Sequence, residues 1–193
     1  LIVRAKYLDD ELLSTPSLAL DRVRLEVLHM GETVQQMLQK IMPAILRGNR
    51  EELAAIRRMD DEVDILYEQI IEYLGKISKR SLSDKETADL LRLMEAVGDL
   101  ENIGDTVETN LVDLGYDRIE AGVSISETTR KVLNDFHKVV SKAYETAVQA
   151  VSQSSEAAAQ LVIGMKDEIA SLANSAAVHQ AARLVAEEPN RIP

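Results

Sequence analysis

The sequence lacks several residue types that would point to common kinds of protein. It has no cysteine, which excludes disulfides, thiolate zinc sites and cysteine nucleophiles. Tryptophan is also absent, aromatic residues make up 3% of the 193 residues, and there are only eight glycines and four prolines. Hydrophobic residues make up 46% of the chain, and most of them are aliphatic. This composition is typical of helices packed along Leu, Val, Ile and Ala seams, and it leaves little room for a turn-rich β fold.

Long apolar runs and basic clusters are missing as well. No segment reaches the roughly 18 apolar residues that a membrane span needs, and no signal-peptide pattern is present. Because the net charge is −11, the basic face that nucleic-acid-binding proteins use against phosphate is not expected, and we predict no nucleic-acid partner. The sequence has no Gly-rich phosphate loop and no nucleophile elbow, and its three histidines share no ligand spacing. We therefore expect a protein that is not an enzyme.

Helix start and stop signals divide the chain into five predicted helices. The starts are N-cap residues and capping boxes, namely Thr15 before Pro16, Asn49, 83–86 and 124–127. The stops are Gly48, Gly115, the segment 152–156 and Pro189. Pro43 is expected to kink the first helix or to end it early. Since the helices run to about 30 residues, or about 45 Å, the sequence predicts an all-α fold, a long antiparallel helix bundle.

An internal repeat relates the first two predicted helices to the last two. At an offset of 106 residues, "MDDEVDIL" (59–66) lies over "MKDEIASL" (165–172), and the apolar seams before them also match. We predict a three-helix repeat over 16–115 and a second repeat over 124–193 that lacks its last helix. The seams of the fourth and fifth helices should then leave an apolar groove. We expect it to be covered by a second copy, as a homodimer, or by the N-terminal stretch around Tyr7, Leu8, Leu12 and Leu13.

Two pairs of acidic residues stand one helical turn apart at the edges of two predicted seams. Asp60 and Asp64 belong to the second helix, and Glu101 and Asp105 to the third. Each follows a seam position, so antiparallel neighbouring helices would bring all four carboxylates together. No basic residue lies within 59–72, so we expect either raised pKa values or a bound cation.

Carboxylate oxygens suit hard cations such as magnesium, calcium and manganese, or iron. The alternative is that both pairs belong to a solvated acidic surface, because the chain has 33 acidic residues.

The first residues, "LIVRAKYLDDELL", combine a short apolar fragment with Arg4 and Lys6. Basic residues directly after a membrane span are typical of its cytoplasmic side. This pattern predicts a membrane-exit linker over 1–15 before a bundle over 16–193. The alternative is a frayed soluble terminus.

The motifs "DDEVD" (60–64) and "DLENIGD" (99–105) resemble those of the PhoU family. The similarity is closest to the PhoU-like tail of bacterial Na⁺/phosphate cotransporters, and "YLDDELLSTPSLAL", "IIEYLGKISKRSLSDKE" and "LVAEEPNRI" extend it over nearly the whole chain. The resemblance implies a bundle of two three-helix repeats, each with an acid-x-x-x-Asp motif that binds metal. It also implies a regulatory domain on the cytoplasmic face of the cell membrane, in one chain with the transporter's membrane domain.

The family's metal ligands carry over to the first repeat only. Asp60 and Asp64 match one motif, and Glu101 and Asp105 match the other. In the second repeat Lys166 stands where Asp60 was and Ala170 where Asp64 was, so we predict no second metal cluster. Two other interpretations stay open, a free-standing PhoU-like adaptor and a helical scaffold without a ligand.

Overall fold

The computed structural model describes residues 4–153 and 155–185, with side chains up to residue 179. Every regular element in these ranges is helical, which confirms the predicted all-α bundle. The elements are a 3₁₀ helix Asp10–Ser14, α1 Pro16–Arg47, α2 Arg50–Ile77, α3 Asp84–Asp105, a π-helical turn Thr106–Leu111, α4 Val112–Glu120, α5 Glu127–Ser152 and α6 Glu156–Val185. No helix within the described ranges combines the length and the hydropathy that a membrane crossing requires.

Most helix boundaries follow the predicted capping signals. Gly48 ends α1 with φ at 69°, a left-handed conformation that favours glycine. The Asn49 side chain accepts hydrogen bonds from two backbone N–H groups and starts α2. Ser83 forms the predicted capping box of α3 with Glu86. The capping box at 124–127 is wrong, because Ser126 is the N-cap of α5.

The predicted effects of two prolines have different outcomes. Helix α1 continues through Pro43 to Arg47, so the expected early end is wrong. The stop expected at Pro189 lies outside the described residues.

The third predicted helix does not end at Gly115. It runs from α3 through the π-helical turn and α4 to Glu120, and Gly122, with φ at 63°, follows its end. Gly115 is a packing position, since a Cβ there would lie 2.8 Å from Leu53 Cδ1 and 3.3 Å from Ile45 Cγ1. The glycine allows the close approach of two helices rather than a turn of the chain.

The hydrophobic core lies between α1, α2 and the continuous helix α3–α4. Its largest fully buried apolar side chains are Leu20, Met30, Met37, Ile41, Leu53, Ile56, Leu66, Ile70, Leu74 and Ile77. Each such side chain stabilises the fold by about 1.5–3 kcal/mol relative to exposure. Three helices around one aliphatic core therefore give α2 and α3 fixed positions relative to each other.

Helix α5 packs against α1 through two hydrogen bonds that the repeat relates to each other. The Tyr144 hydroxyl donates to the carbonyl of Gly31 over 2.8 Å, and His137 Nε2 donates to the carbonyl of Leu38 over 2.7 Å. The 106-residue offset carries Gly31 onto His137 and Leu38 onto Tyr144. The contact between α1 and α5 therefore has an approximate twofold symmetry, of the kind that joins the two halves of an isologous dimer.

Helix α6 packs against α5 and leaves much of its apolar surface open. None of its described side chains is buried, and Leu161 and Ile163 are 65% and 64% exposed. The N-terminal segment does not cover this surface, so that part of the prediction is wrong. A homodimer at this surface stays a prediction.

The N-terminal segment instead lies on α1 and α2, because a buried carboxylate holds it there. Glu26 is fully buried, and its Oε2 accepts hydrogen bonds from the backbone N–H groups of Lys6 and Tyr7 over 2.8 and 2.7 Å. Its Oε1 lies 2.6 Å from His29 Nδ1. Lys76 of α2 adds an ion pair to Asp10. The role of Glu26 could not be predicted from the sequence, since a single acid at a helical core position has no recognisable motif.

Candidate metal centre

Helices α2 and α3 bring three of the four predicted site residues together. Oxygen atoms of Asp60, Asp64 and Asp105 lie within 4.8 Å of one another. The two helices run antiparallel here, with Asp60 and Val63 of α2 against Gly104 of α3. Asp64 and Asp105 converge because each directly follows a buried position of its own helix. Asp60 differs from the prediction, since it occupies a buried position itself and Met59 before it is half-buried.

Gly104 makes this convergence possible. A Cβ at this position would lie 2.6 Å from Asp60 Oδ1 and 3.3 Å from Val63 Cγ1. Real side chains do not approach an oxygen that closely, so only glycine leaves space for the carboxylate. Asp60 Oδ1 occupies this space, which brings the carboxylate against the backbone of α3 next to Asp105.

Asp60 is the buried member of the group. It is 6% exposed, and its Oδ1 has no hydrogen-bond partner in the described part of the chain. Burial raises its pKa to about 7, and the negative charges of Asp64 and Asp105 add to the shift. A buried carboxylate oxygen without a donor is costly, and a bound cation would remove that cost.

The other predicted residues lie nearer the surface. Partial desolvation and the charge of Asp105 raise the pKa of Asp64. Glu101 is half-buried and lies outside the group of three, but it interacts with Asp105, and desolvation followed by the Asp105 charge raises its pKa. The structure thus places Glu101 at the edge of the cluster.

No basic residue lies within 59–72, but Arg57, two residues before this range, forms ion pairs beside the cluster. Its Nε is 2.8 Å from Glu108 Oε1, its Nη2 pairs with Asp113, and its guanidinium stands 5.6 Å from the ring centroid of Tyr116. Arg57 precedes Asp60 by three residues and Asp64 by seven. That spacing places all three on one face of α2 and could have been identified from the sequence.

The π-helical turn Thr106–Leu111 begins directly after Asp105 and carries Glu108. Such turns are rare and are frequent at functional sites. No residue pattern in 106–111 predicted it. The helix therefore changes from α-helical to π-helical hydrogen bonding directly after Asp105.

The donor set fits a hard cation. Three carboxylates with no histidine or cysteine among them are the ligands that magnesium, calcium, manganese and iron accept. Two observations support the fit, the buried and unpartnered Oδ1 of Asp60 and the convergence of three carboxylates within 4.8 Å. A cation bound here would supply positive charge in a region that is otherwise strongly acidic.

The equivalent positions of the second repeat carry no carboxylate. Lys166 and Ala170, which match Asp60 and Asp64, are both exposed. A lysine ammonium cannot act as a ligand.

Comparison with known proteins gives two kinds of match. Residues 27–110 match the PhoU domain. The chain is 30% identical over 132 residues to the "Putative inorganic phosphate export protein YjbB" of Salmonella typhimurium, a match over 68% of this chain and 24% of that protein. It is 30% identical over 106 residues to the protein of the same name from Escherichia coli K12, over 55% of this chain and 19% of that protein.

A shorter match links the chain to an archaeal protein. The "Phosphate-specific transport system accessory protein PhoU homolog 1" of Methanothermobacter thermautotrophicus is 36% identical over 78 residues, which cover 40% of this chain and 34% of that protein. No solved structure matches the chain. The chain spans about a quarter or less of the YjbB proteins that it matches. The part of the chain that is similar to the PhoU domain, residues 27–110, contains all four predicted site residues.

Proposed function

We propose that this chain is a regulatory domain of phosphate transport that binds a hard cation through Asp60, Asp64 and Asp105, with Glu101 at the edge of the site. The observation that carries the proposal is the Oδ1 of Asp60, which is buried, unpartnered within the described residues and close to the two other carboxylates. The PhoU domain match and the names of the relatives support the link to phosphate transport. The role is binding and regulation, without catalysis.

The acidic surface determines how such a domain can sense phosphate. With a net charge of −11, the chain repels phosphate at long range. A bound divalent or trivalent ion reverses the local sign at the cluster. We therefore propose that regulation acts through the cation or through contact with transporter loops.

The domain is proposed to work in one chain with a membrane-embedded Na⁺/phosphate cotransporter, on the cytoplasmic face of the membrane. The small share of YjbB that the chain spans supports a larger parent protein. Arg4 and Lys6 support a membrane exit close to the bundle. The second candidate is a free-standing adaptor, which the match to PhoU homolog 1 favours.

A thermal-shift experiment tests the cation site. EDTA should lower the melting temperature, and Mn²⁺ or Mg²⁺ should raise it, since an ion at about 100 times its Kd stabilises the folded state by about 2.7 kcal/mol. Asp64→Asn with Asp105→Asn should abolish the response. Asp61→Asn with Asp99→Asn removes the same charge from exposed positions of the same helices and should retain it. Equal responses of the two double variants would refute the site.

The transport role is tested in the complete protein. Phosphate uptake by cells that express it should lose its regulation by external phosphate when Asp64→Asn and Asp105→Asn are introduced together. The same uptake curve for wild type and double variant would refute the regulatory role. A complete gene without membrane spans would favour the adaptor.

A further inference from the structure

Glu108 is a carboxylate of the cluster that does not belong to the group of three. We propose that Glu108 is a further ligand of the cation site and that Arg57 competes with the cation for it. This inference rests on the proposed function, because it assumes that the three aspartates bind a cation. Neither residue belongs to the two acid-x-x-x-Asp motifs.

Glu108 faces the same region as the aspartates. It follows Asp105 by three residues, on the π-helical turn that begins at Thr106. Its carboxylate faces α2, because Oε1 lies 2.8 Å from Nε of Arg57, one helical turn before Asp60. The Glu108 side chain is 25% exposed, and its negative charge contributes to the raised pKa values of Asp60 and Asp64.

Arg57 holds Glu108 at this position through a fixed guanidinium. One edge of the guanidinium binds Glu108 with 2.8 Å between Nε and Oε1, and Nη2 binds Asp113. The Tyr116 ring contacts the same group at 5.6 Å. Because Asp113 and Tyr116 already hold the guanidinium, it loses little further conformational freedom when it binds Glu108.

The energies allow a cation to displace Arg57. Arg57 is 44% exposed, and ion pairs at such exposed positions contribute little to stability. Another carboxylate on a hard cation adds a charged oxygen ligand to a site that has three. The arginine charge also repels the ion. Both effects predict that the wild-type protein binds a divalent ion more weakly than the same cluster without Arg57.

Calorimetric titration of the EDTA-treated protein with MnCl₂ tests this inference. Arg57→Ala should tighten Mn²⁺ binding by about tenfold, from the loss of one positive charge near a divalent ion. Arg57→Gln should act in the same direction while keeping a polar side chain. Arg58→Ala removes one charge from the next, exposed position of α2 and should change the affinity by less than about twofold.

The double variant Arg57→Ala with Glu108→Gln identifies the role of Glu108. Glu108→Gln alone should weaken Mn²⁺ binding, and Arg57→Ala should then tighten it by less in the Glu108→Gln protein than in the wild type, because no carboxylate is freed. An Arg57→Ala gain of equal size with and without Glu108, or an Arg57→Ala protein that binds no more tightly than wild type, overturns the inference.

The two proposals fail in different ways. If the wild-type protein and the Asp64→Asn, Asp105→Asn variant both bind no Mn²⁺, the cation site is refuted and the inference falls with it. If the wild type binds, the aspartate variant does not, and Arg57→Ala binds no more tightly than wild type, only the inference is refuted.

Discussion

Gly104 and Asp60 are in contact across the α2–α3 interface, and a Cβ on Gly104 would lie 2.6 Å from Asp60 Oδ1. At this point α3 has no side chain, and the most buried carboxylate of the cluster lies against its backbone. A substitution at Gly104 therefore changes both the packing of the two helices and the surroundings of this carboxylate.

Gly104→Ala should destabilise the protein by about 1–3 kcal/mol, because the added methyl group must displace Asp60 or separate the helices. Gly98→Ala, six residues earlier in α3, is the matched control, since a Cβ there meets no atom within 4 Å. It should stabilise the helix by about 0.5–1 kcal/mol. Urea unfolding of both variants measures the difference. If the two substitutions act in the same direction, the contact is not tight.

Asp60 should make the metal-free protein less stable as the pH rises. Its pKa in the folded protein is about 7 against an ordinary value of 3.8, so the folded state holds the proton more tightly than the unfolded state. The contribution to stability is complete below about pH 4 and is lost as the pH rises through about 7, by up to about 4 kcal/mol. The free energy of unfolding, measured in EDTA, should fall over this range.

Asp60→Asn should flatten this pH dependence, whereas Asp99→Asn, at an exposed position of α3, should leave it unchanged. With Mn²⁺ in excess the trend should reverse, because the ion binds the deprotonated carboxylates and its contribution grows with pH. Parallel curves for wild type and Asp60→Asn in EDTA would contradict the assignment of the titration to Asp60.

The sequence predicted the parts of the fold that depend on local signals. The caps at Asn49 and Ser83 and the left-handed stop at Gly48 are properties of a few neighbouring residues, and the structure confirms them. Gly115 was misinterpreted because a glycine at a helix end and a glycine at a helix contact look the same in sequence. Only the position of Leu53 distinguishes them.

The candidate site was also predictable only as far as it depends on residue spacing along single helices. Spacing along α2 and α3 was enough to bring Asp60, Asp64 and Asp105 together. The outlying position of Glu101 and the pairing of Glu108 with Arg57 depend on the helix geometry near the π-helical turn, which no residue pattern indicates. The buried Glu26 has its partners about 20 residues away in sequence, and such contacts leave no periodic signal.

Glu26→Gln should release the N-terminal segment from α1. The carboxylate accepts two consecutive backbone N–H groups and faces His29, and hydrogen bonds to a charged group are worth about 1.5–3 kcal/mol each. The amide oxygen of glutamine could still accept both N–H groups, but it carries no charge, and the amide nitrogen replaces the oxygen that faces His29. We therefore expect a loss of about 1.5–3 kcal/mol in stability. Hydrogen exchange should accelerate at the amides of Lys6 and Tyr7.

Glu32→Gln, at an exposed position of the same helix, is the control and should change neither quantity. If the amides of Lys6 and Tyr7 stay protected in the Glu26→Gln protein, contacts such as the Lys76–Asp10 ion pair hold the segment instead.

Tyr144→Phe should weaken the attachment of α5 to α1. The hydroxyl is buried and donates to the Gly31 carbonyl over 2.8 Å, so its removal leaves that carbonyl without this donor and costs about 0.5–1.5 kcal/mol. Tyr116→Phe removes a longer and more exposed hydrogen bond, of 3.4 Å to the Arg50 carbonyl, and should cost less. Since α6 packs mainly on α5, hydrogen exchange in Tyr144→Phe should rise along both helices and stay unchanged in α2 and α3. An increase spread evenly over all helices would show that α5 and α6 unfold only together with the core.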